Sequence, residues 1–390
     1  MKKILTKNIL LLCFLFSIER FAYYSLRSSI ALYLIRFLEL SDTDAFRIYG
    51  NITLFTPIGY ILTAILIDRI PLFKNFKLFF ILIGIGAAVL FFPGTIYLYT
   101  GVTIILVTGI FIKVNVFIKI YENLPDEYAR YDNMFILLYL ISNLFGFAAP
   151  LLSPLLRDII GFRFALPLLV IIPLIIYIPI FLIAYDAKNE VKNKFSIQSL
   201  KNKKLFIIIA GCIVVLGFFN VNEPYSFEFK NNLPGNLILL QNSISMIFYF
   251  IIGLFSLLII NVPLQLKKIS ISIILLIAIA VLFIISRTLE TNSLLIICII
   301  QAIKGSIDIL LYPVIVSIIL LLSRPDKRGT TLSIFFLALS ILGSASNYMT
   351  FMDNNMILIG SIIILIILVF LYVLHSRNSE LAAHNNQYKS

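Results

Sequence analysis

Nine residues near the start of the chain, ERFAYYSLR, carry Glu19, Arg20, Tyr23, Tyr24 and Arg27 inside a run that is otherwise apolar. At about 100° per helical residue these five side chains fall within an arc of about 140°. A helix with one polar face in apolar surroundings turns that face away from lipid, toward a bundle interior or a wet cavity. The chemistry open to such a face is binding and proton exchange. Two guanidinium groups against one carboxylate leave a surplus of positive charge, which suits an anionic ligand better than a closed structural pair. Arg27 fits a carboxylate because its planar fork bonds both oxygens at once. Tyr23 and Tyr24 add hydroxyl groups.

Further polar groups interrupt later apolar runs. Lys113 lies in the inner half of its run, whereas Lys119 sits nearer the end and reads as a snorkelling side chain. Tyr139 and Asn143 are four residues apart and share a helix face. Glu223 precedes Pro224, which removes a backbone donor and kinks that end of its helix. Asp308 falls about fifteen residues into its run, close to mid-bilayer at 1.5 Å per residue. An acid at that depth is read as functional unless a neighbour occupies it, and Lys304, one turn earlier, is placed to do so.

The elements that position these groups follow from composition. Of 390 residues 61% are hydrophobic and only 13% charged, with a mean hydropathy of +1.03. A soluble domain carries roughly 25% charged residues. The apolar runs last about 20 residues, the length of a bilayer-spanning helix, and lack the short alternation of a membrane barrel. The net charge of +12 is assigned to short loops that orient helices, and a nucleic-acid partner is not implied. Cys13, Cys212 and Cys298 all lie in apolar runs, with no disulfide or metal spacing. His375 and His384 lie at or beyond the last span. No cofactor is expected. The opening MKKILTKNILLLCFLF resembles a signal peptide but lacks a small-residue cleavage site, and it is read as an uncleaved first helix.

Twelve spanning helices are predicted, over residues 8–37, 46–68, 76–95, 99–121, 132–155, 164–185, 204–225, 237–261, 269–286, 293–322, 329–350 and 355–375. The loops on one side hold Lys2, Lys3, Arg69, Lys74, Arg130, Lys188, Lys192, Lys267, Lys268, Arg324 and Arg328. That excess of base makes this side, with both termini, cytoplasmic, in the inner (plasma) membrane. The fold class is therefore an all-α membrane protein. Its expected divisions are a six-helix bundle over 1–187, a basic linker over 188–203, a second bundle over 204–376 and a tail over 377–390. This plan suggests the major facilitator architecture, in which substrate binds near the midplane.

ERFAYYSLR resembles the first-helix motif of the proton-coupled oligopeptide transporters, Glu-x-x-Glu-Arg-Phe-x-Tyr-Tyr-Gly-x-Arg. Glu19, Arg20, Phe21, Tyr23, Tyr24 and Arg27 match, while Phe16 stands where the first glutamate would be and Ser25 where the glycine would be. FIKVN, with Lys113 and Asn115, resembles the family's Phe-Lys-Pro-Asn; Phe135, Tyr139 and Asn143 resemble its Phe-x-x-x-Tyr-x-x-x-Asn. Glu223 and Asp308 match acids of its seventh and tenth helices, and Asp68, Arg69, Pro325, Arg328 and Gly329 resemble its gate and topology elements. The resemblance implies a symporter of di- and tripeptides with protons. Arg27, Tyr23, Tyr24, Lys113, Asn143, Glu223 and Asp308 would bind the peptide, and Glu19, Arg20 and Glu223 would couple the proton. Phe16 occupies the place of an acid of the coupling machinery. Two alternatives stand beside transport of peptides. One is a transport-inactive relative serving as a membrane protein partner in a larger complex. The other is a facilitator for a different anion.

Overall fold

The computed structural model describes residues 6–70, 75–124, 132–185, 235–258, 268, 271–275, 277–278, 281–282 and 294–349. Among them the ordered elements are helical. Helix α1 spans Lys7–Arg36, and the Thr6 hydroxyl caps it by accepting from the Ile9 N–H at 3.3 Å. Helix α2 (Asp42–Thr53) starts earlier than the apolar pattern suggests. Ser41 caps it, and Asp42 and Asp44 sit in its first turn, where the helix dipole favours carboxylates. Helix α3 (Phe55–Leu66) continues the same span after a break at Leu54. Pro57 accounts for the break: it has no N–H for the Thr53 carbonyl, and its ring crowds that carbonyl.

Helix α4 (Phe76–Val89) stops short of Pro93, and Gly94, at φ 131°, turns the chain into α5 (Thr95–Asn123). Helices α6 (Asp132–Ile160) and α7 (Phe162–Ala184) each begin close to expectation; α6 runs a turn further than expected. Then come α8 (Gly235–Leu258), α9 (Leu294–Leu322), a 3-10 turn at Pro325–Lys327, and α10 (Arg328–Met349). Among the described residues six helices are long and apolar enough to cross a membrane, α2 and α3 counting as one. The expected seventh and twelfth spans, the basic linker and the tail lie outside the described residues. Those of the ninth that are described are helical.

The chain groups into two compact units. The first is Met1–Ala129, Leu138–Ser196 and Ile319–Leu337; the second is Arg130–Leu137, Ile197–Ile318 and Ala338–Ser390. In the first unit α1 packs on α5 and α7, α4 on α5 and α7, and α3 on α5. Close approach is made by small residues, since lipid supplies no hydrophobic drive between helices. A Cβ on Gly101 of α5 would stand 2.7 Å from the Gly86 carbonyl of α4. Aromatic rings fill the seams: Phe79 stacks on Phe111 at 5.6 Å, and Phe76 meets Phe181 edge-on at 5.5 Å.

Gly101→Val therefore forces α4 and α5 apart, and overpacking of this kind costs about 1–3 kcal/mol. The expected outcome is a lower thermal unfolding midpoint in detergent. Gly84→Val, at a glycine with open space around its missing side chain, leaves the midpoint unchanged.

Candidate functional site

The polar face of α1 divides into two parts. In the first, Glu19 is buried and receives both Nε and Nη2 of Arg20, each at 2.6 Å. The guanidinium lies over the rings of Tyr23, at 4.7 Å, and Phe16, at 5.3 Å. Arg20 thus has a carboxylate along its edge and aromatic rings against its faces. Phe16 is itself fixed, edge-on to Phe117 of α5 at 5.6 Å. Glycines in neighbouring helices make room for this cluster. A Cβ on Gly109 of α5 would stand 2.3 Å from Glu19 Oε1, and one on Gly146 of α6 would stand 2.9 Å from the Tyr24 ring.

In the second part Arg27 leans toward α2 and donates from Nε to the Tyr49 hydroxyl at 3.0 Å. Among the described residues no carboxylate lies within ion-pair distance of it. An open cleft adjoins it, with Tyr23, Tyr49, Thr53 and Thr56 among its walls. Arg27 is the more exposed of the two arginines.

Lys113 on α5 forms a third cationic point. Its ammonium donates to the Tyr60 hydroxyl at 3.1 Å and sits 3.7 Å from the centre of the Phe336 ring. Here too no carboxylate of the described residues is within ion-pair distance. Tyr139 and Asn143 do share a face of α6: the Asn143 amide donates to the Tyr139 carbonyl at 3.0 Å, and the Tyr139 ring meets Phe117 at 5.6 Å. Asp308 lies in the second unit, half-buried in α9 one turn beyond Lys304. Glu223 lies outside the described residues.

Tyr49 and Tyr60 were not singled out by the sequence. A signal was present, since Tyr49, Thr53, Thr56 and Tyr60 recur at i, i+4, i+7 and i+11 and mark a polar stripe along the second span. Phe336 carried no such signal.

The segments around Asp68 and Gly329 also meet. Asp68, just beyond α3, accepts from the N–H groups of Gly329 at 3.3 Å and Thr330 at 2.6 Å, and the Thr330 hydroxyl donates to the Ala64 carbonyl at 3.0 Å. A carboxylate is thus seated on the N-terminus of α10, where backbone donors and the helix dipole favour it. Gly329 permits the approach, because a Cβ there would be 2.7 Å from Asp68 Oδ1. Buried beside them, Arg328 lies over the Tyr121 ring at 4.7 Å and 4.0 Å from Glu122, its Nε and Nη2 making no hydrogen bond. In the second unit Lys268 donates to Asp132 at 2.5 Å and to Asn133 at 3.0 Å, a buried pair outside the sequence expectations.

Two predictions follow from these contacts. Gly109→Ala drives a methyl into Glu19 and parts it from Arg20, so the thermal midpoint should fall, whereas Gly50→Ala, with nothing near its missing Cβ, should be silent. Asp68→Ala strips the N-terminus of α10 of its carboxylate. In a background lacking native cysteines, a Thr330→Cys reporter should then be alkylated at least several-fold faster.

No protein-family profile matches the chain. It is similar to the dipeptide and tripeptide permease A of Pectobacterium carotovorum subsp. carotovorum (strain PC1), 26% identical over 204 residues, or 51% of this chain and 40% of that protein. The permease A of Yersinia pestis is 26% identical over 208 residues, 52% of this chain and 41% of that protein. The match therefore spans less than half of the length of these relatives. Among solved structures, a mutant of the peptide transporter POT superposes with a TM-score of 0.64 at 16% identity, covering 95% of this chain and 94% of that one. A bacterial homologue of the iron transporter ferroportin, in an outward-facing state, superposes with a TM-score of 0.71 at 12% identity, covering 96% and 100%. The chain thus has the all-helical, major-facilitator-type fold of these transporters, and in sequence it is a relative of the dipeptide and tripeptide permeases.

Proposed function

We propose that the chain carries short peptides, di- and tripeptides, across the inner membrane by alternating access, with protons as the coupling ion. The observation that carries this reading is Arg27, a guanidinium fork beside a hydroxyl-lined cleft with no carboxylate of the described residues to neutralise it. The fork suits the carboxylate end of a peptide. Lys113 adds positive charge in the same unit. Such a field attracts an anionic group and repels a metal cation, which favours the cargo named for the permeases over that named for the ferroportin homologue. Charge sign assigns the peptide's amine to Glu223 and Asp308, with Tyr23, Tyr24 and Asn143 as hydrogen-bonding groups. Proton exchange is assigned to Glu19 with Arg20 and to Glu223. The basic loops support cytoplasmic termini.

A second reading rests on Phe16. Its ring fills a place on the polar face where the peptide-transporter motif carries an acid, and it covers Arg20 instead. That arrangement favours a transport-inactive chain acting as a membrane partner.

Uptake of labelled dipeptide into proteoliposomes under an imposed pH gradient separates the two. The first reading expects uptake above empty vesicles, stimulated by an inward proton gradient. Folded protein with no dipeptide uptake would leave the second. Removal of a charge-assisted contact costs about 1.5–3 kcal/mol, so Arg27→Ala should weaken apparent affinity roughly tenfold to a hundredfold. Undiminished uptake by that variant would remove Arg27 from the carboxylate site.

A further inference from the structure

Helices α3 and α10 meet along a seam of contacts that lie within the first unit. Tyr60, Ala64 and, just past the end of α3, Asp68 recur every four residues and share one face. On α10, Phe336 follows Gly329 by seven residues, which returns it to the same face about 10 Å further along the axis. Asp68 takes the N–H groups of Gly329 and Thr330, the Ala64 carbonyl takes the Thr330 hydroxyl, and the Tyr60 ring stacks on Phe336 at 5.7 Å. The order of contacts reverses on α10, so the helices are antiparallel, and seating the helix end on Asp68 sets the place of the ring two turns away. That ring closes on Lys113. Its centre is 3.7 Å from the ammonium, which also donates to the Tyr60 hydroxyl at 3.1 Å. The Phe336 ring is buried and backed by Phe117 of α5 at 5.7 Å.

We propose that Phe336 is a positioning residue for Lys113. With α10 seated on Asp68, its ring covers the ammonium and withholds it from ligand; when α10 leaves Asp68, the ammonium is released. The inference rests on the reading of Lys113 as part of the peptide site and adds what controls its availability. A ring face holds an ammonium without discharging it. The empty site therefore keeps its cation without burying it bare, which would be costly. A carboxylate arriving at the uncovered ammonium makes the stronger, charge-assisted bond. Access to the cation is thus tied to a carboxylate seated on a helix N-terminus at the other end of the seam.

The test is acylation of Lys113 by a small N-hydroxysuccinimide ester in the purified full chain in detergent. Mass spectrometry of the fragment carrying Lys113 reads the rate, with Lys119 of the same helix as internal reference. Phe336→Leu keeps bulk but removes the ring face, and loss of a desolvated cation–π contact should raise the Lys113 rate roughly tenfold relative to Lys119. Phe336→Tyr keeps the face and should keep the slow rate. Asp68→Ala should speed Lys113 several-fold. Because the seat acts through the ring, the double variant should exceed Phe336→Leu by less than about twofold. A Phe336→Leu rate equal to that of the unaltered protein overturns the proposal, as does a Phe336→Tyr rate as fast as that of Phe336→Leu. An equal gain at Lys119, the mark of a loosened bundle, also overturns it. If the variants at 336 do not fold, Asp68→Ala decides, and a slow Lys113 there overturns the proposal. Ala-Ala is then added to the Phe336→Leu protein. Protection of Lys113 supports its contact with peptide; fast labelling that Ala-Ala does not slow leaves the Phe336 cover standing and removes Lys113 from the peptide site.

Discussion

The Glu19–Arg20 pair is the constraint on which the rest of this half of the molecule depends. A carboxylate and a guanidinium in apolar surroundings each lose several kcal/mol of hydration, and good geometry with full satisfaction of donors is needed to offset the loss. Here the carboxylate takes two short bonds from one guanidinium, and the guanidinium faces are covered by Phe16 and Tyr23. That arrangement dictates the neighbours. Position 109 has to be glycine for Glu19 to fit, and α1 has to lie close against α5. Residue 16 has to be large and flat to fill the space between Arg20 and Phe117.

With Arg20 satisfied internally, the positive charge that remains is displaced along the unit to Arg27 and Lys113. The two are held differently. Arg27 is anchored by a single hydroxyl and keeps most of its fork outward. Lys113 is held by a hydroxyl and the faces of aromatic rings, which stabilise a cation without neutralising it. A rigid anchor for a ligand and a charge stored against π-electrons are distinct devices, and the helix sequences put them on α1 and α5 respectively.

Much of this was legible in the sequence where the signal is local. The arc of Glu19, Arg20, Tyr23, Tyr24 and Arg27 follows from residue spacing, whereas the early start of α2 at its Ser41 cap was missed because only the apolar pattern was read. Asp68 and Gly329 were each marked by resemblance as gate and topology elements, but their contact, 261 residues apart in sequence, was not. What could not be read depends on three-dimensional filling. Adjacent residues on a helix point about 100° apart, so nothing in the spacing says that Glu19 and Arg20 close on each other; a glycine on α5 and rings on either side decide it. The break at Leu54 hid behind an unbroken apolar pattern, although Pro57 marked it. The Lys268–Asp132 bond joins residues 136 apart in sequence, and no periodicity carries that information.

The seat of Asp68 on α10 has an asymmetric inheritance. One partner is a side chain and the others are peptide N–H groups. Changing the side chain at 330 leaves its N–H in place unless the new residue is proline. The bond's strength is therefore editable only from one end, at residue 68, while the receiving end is built into the polymer itself. Sequence drift along α10 leaves those two donors standing, and divergence in how firmly this contact holds is confined to a single codon and to the glycine that makes room for it.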